Sequence, residues 1–113
     1  MAQAVWNEMF LEILGGSRMT FSGAVSTDES NMRTYEVADE TTDESVDLGG
    51  ITTVDVFAIT SDYQITYKLN GSATAITLDA KKSHVLFGTS ITAITISNAS
   101  GSTASVQILI AGT

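Results

Sequence analysis

The chain has no cysteine and no proline. Without cysteine it has neither disulfides nor thiolate metal sites to hold it together. Without proline, a Pro-rich linker or Pro-rich disorder is excluded. A single histidine, His84, leaves zinc without the second imidazole or thiolate it needs. Bases are scarce, 5 against 13 acids, for a net charge of −8. DNA and RNA would be repelled, as would anionic membrane surfaces, so neither nucleic acid nor membrane is an expected partner. No apolar stretch approaches the ~20 residues needed to span a bilayer. The first residues lack the basic start of a secretory signal, and Glu8 and Glu12 interrupt their apolar part. Synthesis in the cytoplasm is therefore the expectation.

What is present fits one domain over residues 1–113. A chain of this length hides roughly two-thirds of its unfolded surface, enough for one modest core. Small unstapled β domains often gain stability by associating.

Three zones follow one another. In the first, Val5, Trp6, Met9, Phe10, Ile13 and Leu14 lie on one side of a helical wheel, with Asn7, Glu8 and Glu12 opposite. Only Leu11 breaks the pattern. Gly15-Gly16 follows as a stop. The spacing predicts a short helix or arm within residues 1–16. A strand over the same stretch would set Glu8 and Glu12 on a face with Trp6 and Phe10, which is less favourable. Arg18 to Val25 reads as a strand with Met19, Phe21 and Gly23 on one side.

The second zone, residues 27–47, concentrates acids around a single base, Arg33. Met32 to Val37 reads as a strand between solvated flanks. Mutually repelling acids favour mobility unless something holds them, and a neighbouring subunit is a candidate.

From Ile51 onward, short alternating runs are punctuated by turn residues. Val54 to Ile59 is apolar on both faces, as a central covered strand requires. Tyr63, Ile65, Tyr67 and Leu69 alternate with Gln64, Thr66 and Lys68, and Asn70-Gly71 then gives a strong hairpin signal. Ala75 to Leu78 returns. His84 to Phe87 is a further strand ended by Gly88. Ile94 and Ile96, the turn Asn98 to Gly101, and the run Ala104, Val106, Ile108 and Ile110 complete the series. The pattern predicts an all-β antiparallel sandwich or jelly roll.

Chemistry is sparsely represented. Ser83 beside His84 is not a triad, which needs convergence in space. The acids of the second zone lack the spacing and the glycine of an EF-hand loop. They offer no fixed pair of the kind a glycosidase uses. They read as a solvated or interface-facing surface. Asn70-Gly71-Ser72 and Asn98-Ala99-Ser100 match the glycosylation sequon, but each reads as a turn. Tyr35, Tyr63 and Tyr67 are the aromatic set from which a sugar platform would be built. Tyr63 and Tyr67 share a face with Ile65 and Leu69, which favours core packing. No cofactor is expected.

Several pieces in order resemble a pattern found in small virion proteins of tailed bacteriophages. They are Ala38 to Asp43, Val46 to Gly49, Val54 to Ile59, Ile65 to Asn70, Ala75 to Leu78, Gly88 to Ile91, Ile94 to Gly101 and Ala104 to Ile110. The resemblance implies a non-enzymatic particle component, similar to head decoration or cement proteins. Neck, tail and fibre-associated parts are the alternative it leaves open, and a carbohydrate- or host-surface-binding module is a further one. Such proteins are β-rich and often trimeric, which implies a homo-oligomer that contacts the major capsid protein or another virion protein. The location implied is the virion, after synthesis in the host cytoplasm. No catalytic residue carries over. The interface candidates are Trp6, Phe10 and Leu14 at the N-terminus, and Asp39, Glu40, Asp43 and Glu44 in the acidic segment.

Overall fold

The Asn70-Gly71 turn is the innermost point of the topology. Both residues adopt positive φ, 57° and 69°, as a type I′ hairpin turn demands. Ser72 N–H donates to Leu69 C=O at 3.1 Å to close it. In the computed structural model the described residues are 2–12, 18–27 and 29–113, with side chains from residue 29 onward except 88 and 89. Among the described residues there is no helix. The strands are β1 (Ala2–Glu12), β2 (Arg18–Thr27), β3 (Glu29–Val37), β4 (Thr41–Ser45), β5 (Val54–Ser61), β6 (Ile65–Leu69), β7 (Ile76–Leu78), β8 (Ser83–Ile91), β9 (Ile94–Asn98) and β10 (Ala104–Gly112).

The pairing from β3 onward is nested. β6 pairs with β7, β5 with β8, β4 with β9 and β3 with β10, all antiparallel. One long hairpin has been rolled up, and β10 then also meets β5 while β9 meets β6. Two sheets result, β3-β10-β5-β8 and β4-β9-β6-β7. They pack face to face as a jelly roll.

The alternation read from the sequence supplies the core. Ala104, Val106, Ile108 and Ile110 of β10 are buried, facing Phe57 and Ile59 of β5 and Ile65, Tyr67, Ile94 and Ile96 of the opposite sheet. Tyr67 and Phe57 meet edge to face with ring centroids 5.5 Å apart. Asn98 is fully buried and fully bonded. Its Nδ2 donates to Val37 O and Ser102 O, both at 2.8 Å, and its Oδ1 accepts from Ser100 N–H at 3.0 Å. It ties the β9–β10 turn to the end of β3.

Four expectations are corrected. The N-terminal helix is instead strand β1, paired with β2 in a separate ribbon. The reason is a β-bulge. Trp6 opposes Gly23 and Met9 opposes Phe21, so two residues on β1, 7 and 8, stand against one on β2, 22. The extra residue breaks the two-residue period of the strand between Trp6 and Met9. A spacing of three, which reads as helical, is also what a bulged strand produces. Tyr63 lies outside β6 and is 42% exposed rather than in the core. The acidic flank is not all loop, since residues 41–45 form β4. Gly88 does not end its strand, because β8 runs to Ile91.

Asn98→Ala would remove the amide donors to the buried Val37 C=O and to Ser102 C=O, which keeps Ser100 Oγ, and the acceptor for Ser100 N–H. A loss of about 2–4 kcal/mol in unfolding free energy by urea titration is expected. Asn98→Asp should cost more at pH 7 than at pH 3. Its carboxylate would face those two carbonyls, so its folded pKa is raised, and the stability held by the protonated form is lost as pH rises.

Candidate functional site: an uncharged sheet face

The outer face of the β3-β10-β5-β8 sheet follows from its register. Met32 opposes Leu109, Leu109 opposes Ala58, and Ala58 opposes Val85. These four residues form one row across all four strands. Met32 is 63% exposed, Leu109 42% and Val85 39%. With Thr60 and Gln107 they line a shallow depression of about 240 Å³. The next row on one side is Thr34, Gln107, Thr60 and Ser83, polar but uncharged. The row on the other side is Ser30, Ala111, Val56 and Phe87. Three rows of four positions therefore carry no acid or base, in a chain of net charge −8.

Val56 and Ala111 are buried although they lie outside the core between the sheets. They belong to β5 and β10, the strands that β2 approaches. The ribbon end of this face is covered, and the Met32–Val85 row is open.

The opposite outer face is of another kind. Lys68 Nζ lies 3.2 Å from Asp43 Oδ1, and Ser97 Oγ donates to the same oxygen at 3.3 Å. Asp43 N–H in turn donates to Ser97 Oγ at 2.8 Å. Glu44 is exposed nearby on β4. Asp39 and Glu40 make the β3–β4 turn, with Glu40 at φ 68°, and Asp39 Oδ1 accepts from Gly101 N–H at 2.9 Å. The four acidic candidates thus sit together along the β4 side, away from the apolar row. In the ribbon Trp6 pairs with Gly23 and Phe10 with Thr20. Leu14 falls outside the described residues.

Asp47 anchors the other end of the acidic segment. Its Oδ1 accepts from Gly49 N–H at 2.8 Å and its Oδ2 from Arg33 Nη1 at 3.0 Å. The backbone bond first, and the guanidinium second, hold its carboxyl below the usual aspartate value. Among the described residues no three His, Cys, Asp or Glu side chains gather as a cation site would need. His84 Nδ1 and the Tyr67 hydroxyl are 2.7 Å apart. The rings stand edge to face at 5.7 Å, and burial pushes the Tyr67 hydroxyl pKa up.

The apolar row escaped the sequence reading because each member sits at a wet-face position of its own strand. Apolar residues at such positions in four separate runs were the available signal. Only the strand order makes them neighbours.

No protein-family model and no curated protein matches the chain. Among solved structures, the chain is similar to a de novo designed double-stranded β-helix determined by solution NMR. The identity is 15% over 74% of this chain and 99% of that one, with a TM-score of 0.44.

Tyr67→Phe keeps the ring packing and removes one hydrogen bond, so about 1 kcal/mol of stability should be lost in urea titration. Asp47→Asn tests the other anchor. A depressed folded pKa contributes stability above the unfolded value of 3.8, and that contribution fades as pH falls through the folded value. Because the pair is exposed, the variant should be only slightly less stable at pH 7. At pH 2 it should match the parent in thermal melts.

Proposed function

We propose that this chain is a non-enzymatic structural protein of a tailed-phage particle, a decoration or cement protein that bridges subunits of the capsid shell. The observation that carries the reading is the run of three uncharged rows on the outer face of the β3-β10-β5-β8 sheet, bounded by Glu36 on β3. An acidic protein that keeps three neighbouring rows free of charge, one of them apolar and open, has a surface suited to protein rather than to water. The roll behind it is filled by side chains, so the face rests on a rigid base. Fold does not dictate function, but jelly rolls are among the architectures that build viral shells. The phage-like order of motifs from Ala38 to Gly112 supports the same reading.

The mechanism is many modest contacts multiplied by symmetry. A bridging protein needs one surface toward the shell and another toward its neighbours. The uncharged face is one of these, and the acidic β4 side with the ribbon is the other.

Quantitative mass spectrometry of purified particles tests this. Hundreds of copies per particle are expected, and stripping them should lower the temperature at which the shell opens. A dozen or fewer copies would move the protein to the neck or tail. Absence from the particle would end the reading.

A further inference from the structure

We propose that the Met32–Leu109–Ala58–Val85 row is a self-pairing surface, taken by the same row of a second copy. The argument begins with charge. Two copies each carry −8, so most ways of bringing them together oppose acids with acids. The opposite sheet face presents Asp43 beside Lys68, and Glu44 is exposed on the same edge strand. The β3–β4 turn presents Asp39 and Glu40. The β3-β10-β5-β8 face presents none over its three rows. Glu36, opposite Ser105, and Asp62 lie beyond the polar row, so the Met32 row is where like molecules meet with least of that repulsion. A strongly basic partner would have no acids to pair with there.

Shape agrees with charge. A twisted sheet face packs on another about 10 Å away when small and large residues interdigitate. The row alternates in this way, with Ala58 a step between Leu109 and Val85. The contact is isologous, so each residue meets its own kind or its row neighbour across a two-fold axis.

Area sets the strength. Four strands span about 19 Å and the two open rows roughly 14 Å, so each copy offers on the order of 270 Å² of face. A standard stable interface uses about 800 Å² per partner. The pairing is therefore weak in solution and effective only where copies are held close together. That is the condition on a particle surface, where a high effective concentration replaces affinity. This deepens the assembly reading and rests on it.

Sedimentation of the full chain up to about 1 mM, at about 0.15 M salt so that the like net charges are screened, tests the pairing. Reversible dimerisation is expected, with a dissociation constant on the order of hundreds of micromolar. Leu109→Lys and Leu109→Glu should each abolish it, leaving melting temperatures nearly unchanged because the position is exposed. Mixing the two in equal amounts should restore association, since opposite charges then face each other across the axis. Met32→Lys with Met32→Glu repeats the test should a Leu109 variant misfold. A parent that stays monomeric at 1 mM overturns the proposal. So does association that survives Leu109→Lys, or a mixture that does not re-associate. A monomer still found in hundreds of copies on particles would remove self-pairing and leave the decoration role standing.

Discussion

Strand β10 is hydrogen-bonded along both edges, to β3 and to β5, and the rest of the roll depends on its register. A slip of one residue would turn Val106, Ile108 and Ile110 out to water and bring Gln107 into the core. It would also break the row across the outer face, because Leu109 is the link between Met32 and Ala58. Core and surface are therefore set by the same choice. At its end the register is locked sterically. Gly112 lies so close to Thr53 that a Cβ there would stand 1.9 Å from the Thr53 carbonyl oxygen. Only glycine lets β10 finish between Glu29 and Val54.

The strands that the sequence made legible are those with one wet and one dry face. β6, β9 and β10 alternate cleanly, and the Asn70-Gly71 signal named the innermost hairpin. The misreadings have physical causes. In β1 the bulge after Trp6 adds one residue to a two-residue period and imitates a helix. In β4 the acids suppress the strand signal, yet Asp43 is held by Lys68 and Ser97, and the strand forms against β9. Tyr63 looked like the first residue of β6, but the chain is still turning there, with Ser61 Oγ donating to Tyr63 C=O. Asn98 looked like an ordinary turn residue. Its burial follows from the meeting of β3, β9 and the β9–β10 turn, which no local pattern records. The apolar row was hidden for a similar reason, since it is a property of strand order.

The edges of the two sheets are managed unevenly. β3 carries Glu29, Arg33 and Glu36, β4 carries Asp43 and Glu44, and β7 is only 3 residues long. Charge and brevity are the usual protections of an edge against stray pairing. β8 ends its sheet over 9 residues with no Asp, Glu, Lys or Arg. Its Val85 also closes the apolar row. The face and this edge are thus continuous, and charge is withheld from both.

In the proposed role, this division of charge would resolve a conflict that any assembly protein meets. It must stay dispersed while it is being made, yet adhere once it is in place. Net charge of one sign keeps free molecules apart through a field that salt screens over about 10 Å. Attraction from an apolar row acts only at contact. A molecule with −8 spread over its loops, ribbon, strand edges and one sheet face, and an apolar, uncharged row on the other, separates the two effects in space. At a distance the field dominates and copies repel. Once a scaffold has set them side by side, the repulsion has already been overcome by binding to that scaffold. The short-range term is then added with little further cost in translational freedom. Enlarging the row would strengthen pairing but risk aggregation before assembly. Its modest area is what the proposed role requires.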